Sequence, residues 1–398
     1  VAGMYPAYYV TSFSPALVLK GSFGLSPKGR LLRNGLIGIQ FFASFALITG
    51  AIFMYLQNQF MHKSPLGYDK DELIVCNFTK PLLNSWDALT SELKAFSGID
   101  GVTNAQSLLS SGDQYMGWGR NYKGESLTFQ CLPVDPSFLD VIGVEVTEGR
   151  AFRKEDQATR YGAYIFNETA RFKYNIELNS QIDSAEIIGF IPDIKFASFR
   201  TEVSPMAFYV WGTQNWGNIP SWLYVRVKKG TDLHAAIQHV EATVKKFDQE
   251  SLFDVSFYDK VLDHVYKAED KLTQQITLFS LIAVFISIVG VFGLVVFDCE
   301  YRRKEIGLRK VMGSTVGMIL SMFNITYLKI LLICFVFSLP VTWFVVQRWL
   351  ESFAYKTPMY LWVFVVSFFI VAIITIATVS FQSWKAANEN PVNSIKTE

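Results

Sequence analysis

Catalysis and metal binding need side chains that titrate, attack or coordinate, and this sequence brings few of them together. Its four histidines are His62, His234, His239 and His264, and none belongs to an H-E-x-x-H pair. His234 and His239 stand five apart, on diverging faces of a helix. The four cysteines include no C-x-x-C pair, so zinc or thioredoxin-like chemistry has no support. Cys299 and Cys334 fall in or beside apolar runs and read as inert. For Cys76 and Cys131 two alternatives stay open, a disulfide in an oxidising compartment or two free thiols, because spacing does not place them within bonding distance. No G-x-S-x-G elbow and no G-x-x-x-x-G-K-[ST] loop occurs, which leaves out a P-loop for ATP.

The block that does carry regular chemistry is "YRRKEIGLRKVMGS", residues 301–314. Arg302, Arg303, Lys304, Arg309 and Lys310 are interleaved with Glu305 and two glycines. On a continuing helix Glu300 reaches Lys304 and Glu305 reaches Arg309, both at i,i+4 with the acid first, the favoured order. Met312-Gly313 reads as a helix stop with glycine at C′. Ser314 or Thr315 then caps a second short helix, "VGMILSMFNITYLK". Attraction to anionic lipid accounts for the Lys and Arg residues but not for the paired acids or the glycine stop.

The elements that must position this block are membrane helices. Of the 398 residues 51% are hydrophobic and only 18% charged, against about 25% charged in soluble domains. The net charge of +1 argues against a nucleic-acid partner. Four runs are long and apolar enough to cross ~30 Å of hydrocarbon: Leu36 to Leu56, Leu278 to Phe297, Ile330 to Val346 with Pro340 inside, and Tyr360 to Phe381. Lys20, Lys28, Arg30 and Arg33 precede the first run, and the basic block comes directly after the second. By the positive-inside rule both chain ends and the 298–329 loop are cytoplasmic, and residues 57–275 lie outside.

That outer segment is long enough for a folded domain. Six stretches read as strands: residues 72–78, 127–134, 162–167, 185–191, 206–211 and 221–227. Residues 85–96 and 232–247 read as helices. The fold class expected is therefore a membrane protein, with four transmembrane α-helices and a large α/β extracytoplasmic domain inserted between the first and second. Val261, Leu262, Val265, Tyr266, Leu272 and Ile276 mark an amphipathic helix that feeds into the second span without a break. "YLQNQFMHK" prolongs the first span until Pro65, so two helices are expected to form a stalk under the outer domain.

"RKEIGLRKVMGST" resembles the signature of FtsX-like and MacB-like permeases, the type VII ABC transporter family. "VDPSFLDVIGVEVTEGRAF" (134–152) and "FNETARFKY" (166–174) resemble its periplasmic core domain. "WLESFAYKTPM" (349–359) is similar to its outer loop, and "WKAANENPVNSIKTE" (384–398) to its C-terminal tail. The resemblance implies a non-enzymatic permease in a bacterial inner membrane. It implies a second copy or homologous half, and a separate ATPase that holds ATP and Mg, with no cofactor on this chain. It further implies mechanotransmission, in which ATP-driven motion reshapes the outer domain for export or extraction of a substrate. Membrane lipid and a periplasmic adaptor or lipoprotein are further expected partners. The implied ATPase interface is Arg303, Lys304, Glu305, Gly307, Arg309, Lys310, Gly313, Ser314, Thr315 and Met318, with Glu305, Gly307, Arg309 and Gly313 on the signature itself. Residues 1–20 resemble the segment after a last membrane helix in this family, so they are expected to close a preceding, similar half. The residues alone also admit a membrane-anchored receptor or scaffold whose outer domain binds a ligand or a cell-wall hydrolase. Such a receptor has no use for the glycine turn and the helix after it.

Overall fold

In a computed structural model of the chain, residues 27–110, 116–196, 198–214 and 220–388 are described. The side chains of Lys28, Arg30 and Arg33, and the segments that carry the expectation of a preceding half, lie outside the described residues. The chain divides into two units. One comprises the helices up to Gln59, Lys271–Ser352 and everything from Thr357; the other comprises Phe60–Asp270 with Phe353–Lys356.

In chain order the elements are α1 (Pro27–Lys63), β1 (Leu73–Asn77), α2 (Lys80–Asn84), α3 (Trp86–Lys94), β2 (Ile99–Ala105), β3 (Met116–Tyr122), β4 (Glu125–Pro133), α4 (Phe138–Ile142), β5 (Glu148–Gly149), α5 (Lys154–Ala158), β6 (Ala163–Asn167) and α6 (Glu168–Tyr174). Next come β7 (Gln181–Ile182), β8 (Ala185–Ile191), β9 (Met206–Val210), β10 (Trp222–Val227), α7 (Leu233–Phe247), β11 (Ser256–Phe257), α8 (Asp259–Tyr301), α9 (Arg303–Val311), α10 (Val316–Leu350) and α11 (Leu361–Ala387).

The membrane unit is built from α1, α8, α10 and α11, each long and apolar enough to span a bilayer. At 1.5 Å per residue the 43 residues of α8 extend about 65 Å, roughly twice the hydrocarbon thickness. Apolar burial alone does not choose partners among helices in lipid, so small and polar residues do it. Ser44 and Ser287 share a hydrogen bond of 2.8 Å, and Thr49 donates to Ser367 over 2.9 Å. A β-carbon on Gly290 would sit 2.2 Å from Gln40 Oε1, so α1 and α8 approach closely there. Phe45, Phe335 and Phe368 fill the space beside them.

The outer unit holds two sheets. The first runs β11-β1-β10-β2, all antiparallel. Ile74, Cys76, Leu223 and Val225 on its strands pack with Leu89 and Leu93 of α3 and Val240 and Val244 of α7. The second runs β3-β4-β9-β6-β8-β5 with β7 beside β8, and is mixed: β4–β9 and β6–β8 are parallel. Its core is aromatic, with Phe129, Tyr164, Phe166 and Phe190 fully buried. All six strands read from the sequence are present, as are both helices, with Asp232 capping α7 through the His234 and Ala235 amides. Among the described residues five strands are additional: the two-residue β5, β7 and β11, and the longer β2 and β3. β2 reads "IDGVTNA" and β3 "MGWGRNY", compositions poor in β-formers. β3 is held by a two-residue hairpin in which Lys123 and Gly124 both take positive φ.

Cys76 and Cys131 are free, buried thiols on different sheets, so the disulfide alternative is ruled out. Burial, with Asp254 nearby, pushes the Cys76 thiol up to about 12, and burial drives Cys131 well above the usual thiol range. Both stay protonated and unreactive at neutral pH.

Two polar clasps hold this unit. Arg226, almost fully buried, donates to the carbonyls of Val141 (2.8 Å), Asp71 (2.5 Å) and Asp69 (2.7 Å). Arg150 grips Asp156 through two hydrogen bonds of 2.8 and 2.7 Å, and the Arg153 amide adds a third. Burial alone would raise the Asp156 carboxyl, but these donors hold it below the usual carboxylate range. A carboxyl depressed in the folded state stabilises above its unfolded pKa, about 3.9, and the benefit fades as pH falls through the folded value. Asp156→Ala is therefore expected to cost about 1–2 kcal/mol at pH 7. In thermal melts the gap from wild type should shrink as the pH is lowered below 4.

Residues Phe353–Lys356, between α10 and α11, pack with the outer unit. Phe353 lies under the Arg200 guanidinium at 4.4 Å, and Tyr355 meets Phe199 at 5.9 Å and the Lys195 ammonium at 4.9 Å. The Tyr355 amide donates to the Phe199 carbonyl over 3.2 Å.

Candidate functional site

The block 301–314 folds as a corner. α8 ends at Tyr301, and Arg302 leaves helical geometry at φ −93° and ψ 14° before α9 starts. That interruption changes the expected ion pairs. Glu300 meets Arg303 at 3.3 Å rather than Lys304, because the helix does not run unbroken through Arg302. Glu305 and Arg309 do pair at i,i+4, 2.7 Å apart.

The stop at Met312-Gly313 is a complete Schellman turn. The Gly313 amide donates to the Lys310 carbonyl (3.0 Å) and the Ser314 amide to the Arg309 carbonyl (2.9 Å). Gly313 supplies the left-handed conformation at φ +89°. The next helix is capped by Thr315, whose hydroxyl accepts the Met318 amide at 3.4 Å; Ser314 serves the turn instead.

The second short helix expected over 316–329 does not exist as a separate element. It is the first half of α10, continuous through Leu350, since nothing between Gly317 and Pro340 breaks a helix. The corner therefore joins α9 directly to the third membrane helix.

Side chains at the corner divide by exposure. Ile306 and Gly307 are buried, and Ile306 packs with Ile319 and Phe323 of α10. Arg309 also donates to Met322 Sδ at 3.1 Å, and the Arg302 guanidinium lies over Phe323 at 5.9 Å. Tyr327 donates to Asp298 over 3.0 Å. Lys304, Glu305, Arg309, Gly313, Thr315 and Met318 are exposed, whereas Arg303, Lys310 and Ser314 are half-buried. Between them stand Leu308 (57% exposed), Val311 (66%) and Met312 (79%), apolar residues that sequence reasoning passed over. Their signal was an apolar residue every three or four positions on the polar side of an otherwise charged helix. Exposed Leu, Val and Met side chains set among charge pairs gain nothing from contact with water.

The histidines form no site. His62 meets Asp270 at 3.4 Å, His234 meets Gln238, and His239 stacks on Phe96. Among the described residues no three His, Cys, Asp or Glu side chains are grouped to hold a metal ion.

Two family models match the chain. The MacB-like periplasmic core domain matches residues 36–243, more than half of the sequence, and the FtsX-like permease C-terminal part matches residues 277–391. The uncharacterized ABC transporter permease YknZ of Bacillus subtilis (strain 168) is 22% identical over 258 residues, 61% of this chain and 62% of its own length. The macrolide export ATP-binding/permease protein MacB of Escherichia coli (strain K12) is 24% identical over 216 residues, 51% of this chain and 33% of its own. The chain thus spans less than two thirds of either relative. The crystal structure of the periplasmic region of MacB from Actinobacillus actinomycetemcomitans aligns with 50% of this chain and 94% of its own, at 13% identity and a TM-score of 0.37. The chain belongs to the family of ABC transporter permeases that join a MacB-like periplasmic core domain to an FtsX-like C-terminal membrane part.

Proposed function

We propose that this chain is the mechanotransmitting permease of an ABC system in a bacterial inner membrane. A separate ATPase docks on the corner of α9 and the start of α10, through Arg303, Lys304, Glu305, Gly307, Arg309, Lys310, Gly313, Ser314, Thr315 and Met318. ATP and Mg are bound by that partner. A second copy or homologous half completes the permease, both ends of this chain face the cytoplasm, and the outer domain is periplasmic. ATP-driven closure of the ATPases moves α1 and α8 and so reshapes the outer domain, exporting or extracting a substrate.

The observation that carries this reading is the exposed apolar set Leu308, Val311, Met312 and Met318, presented around a Schellman turn and flanked by the Glu305–Arg309 pair. Charges at such a contact fix register and orientation. The family model that matches the membrane part of this chain describes a permease, which supports this reading.

The test is co-purification of the tagged chain from its native membranes with a P-loop ATPase. Arg309→Glu is expected to reduce ATPase recovery about tenfold or more, as a charge reversal inside a contact costs at least about 1.4 kcal/mol. The exchange Glu305→Arg with Arg309→Glu keeps an ion pair within α9 and should be equally defective if the surface is what matters. Wild-type chain that recovers no ATPase, with Arg309→Glu cells behaving normally, would favour a receptor or scaffold instead.

A further inference from the structure

α8 is one helix from Asp259, in the outer unit, to Tyr301 at the corner. It can carry a movement of the corner outward only if its lower end moves with α9. Arg302 stands between the two helices, off helical geometry at φ −93° and ψ 14°. One residue of this kind at the end of an element is enough to absorb a rotation. Left to itself, the break would let α9 swing while α8 stayed in place.

A bond on the far side of the break opposes that. Tyr327 of α10, 2% exposed, donates to Asp298 Oδ2 over 3.0 Å, three residues before α8 ends. Asp298 is the one acidic residue in the sequence between Asp270 and Glu300, at the end of an apolar membrane run. A carboxylate there is costly unless a donor holds it.

Tyr327 also continues a buried stripe of α10. Ile319, Phe323 and Tyr327 recur at four-residue spacing and share one core with Ile306 of α9 and Val295 and Cys299 of α8. The Arg302 guanidinium lies over Phe323. The same face of α10 thus meets the chain before, at and after the break. α10 is tied in turn to α11, where Asn324 donates to Ser380 over 2.9 Å. Apolar contacts between helices in lipid do not select one arrangement, whereas a hydrogen bond to a carboxylate does.

We infer that the Tyr327–Asp298 hydrogen bond is a positioning clamp across the Arg302 break, which makes α8 follow α9 and α10 when the corner moves. The inference rests on the proposed ATPase dock but names residues outside it. Losing a hydrogen bond to a charged acceptor shifts a two-state arrangement by about tenfold or more.

The test uses the full chain co-purified with its ATPase, in lipid nanodiscs, with Mg·ATP and vanadate or without nucleotide. Hydrogen–deuterium exchange over residues 259–276 reports whether α8 responds. In wild type, nucleotide is expected to change that exchange. Tyr327→Phe, which removes one hydroxyl, should recover ATPase within about twofold of wild type and lose the response. Asp298→Leu should lose it too, while Asp298→Asn keeps an acceptor for the tyrosine hydroxyl and should retain it. A response preserved in both Tyr327→Phe and Asp298→Leu overturns the clamp and leaves the dock standing. ATPase recovery reduced tenfold in Tyr327→Phe also overturns it, since the bond would then build the dock. Wild-type chain that recovers no ATPase overturns the dock and the clamp together.

Discussion

Arg226→Met is expected to destabilise the outer domain by about 4 kcal/mol, the largest single-residue effect on stability anticipated in this chain. The guanidinium donates to three carbonyls that belong to two separate segments, Asp69 and Asp71 before β1 and Val141 at the end of α4. Burial pulls its pKa below the usual arginine value, yet nearby Asp69 and Glu72 favour the charge, and a guanidinium does not deprotonate in this range. Methionine fills similar volume but leaves the three carbonyls without donors. Arg226→Lys keeps the charge and loses the planar fork, so it should recover less than half of the loss. Thermal unfolding of the full chain in detergent, followed by tryptophan fluorescence, gives the comparison. A change below about 1 kcal/mol for Arg226→Met would mean that water replaces the guanidinium at those carbonyls.

Gly313→Val is the second large effect, and it acts on function rather than on the outer domain. A β-carbon at Gly313 would meet nothing within 4 Å, so no clash is involved. The cost is the left-handed φ of +89°, which a β-branched residue resists by about 2 kcal/mol, a factor of roughly 30 against the native turn. Losing the turn releases the hydrogen bonds of Gly313 and Ser314 and changes the angle between α9 and α10. Cells that rely on the protein should lose its activity while the chain still inserts and the outer domain melts normally. Gly317→Ala is the control. It sits two residues into α10, and its added β-carbon would come no closer than 3.9 Å to Thr315 Oγ1, so activity should persist. Equal loss in both variants would place the sensitivity in small size and not in turn geometry.

The sequence made some features of this molecule legible and hid others, for physical reasons that differ by element. A membrane helix announces itself by length and lack of charge, so Leu361–Ala387 could be read with no knowledge of its neighbours. The strand "AEIIGFI" matched residue for residue because β-branched side chains on a doubly buried strand leave little ambiguity. β2 was missed because Asp100, Gly101 and Asn104 hide a strand whose stability comes from β10, more than a hundred residues later. At the corner, the Gly313 stop was set by local backbone physics. The partner of Glu300 was not, since the i,i+4 rule assumes an unbroken helix and Arg302 interrupts it without glycine or proline.

The four residues Phe353–Lys356 bear on how modular the outer domain is. A graft that exchanged only residues 60–270 between relatives would leave Phe199, Lys195 and Arg200 facing a strap evolved for a different partner. A working chimera has to carry the strap with the domain, as a discontinuous transplant of two pieces. The same reasoning applies to inheritance: substitutions at Phe199 and at Tyr355 are tied together across more than 150 residues of chain, and drift at one restricts what the other can accept.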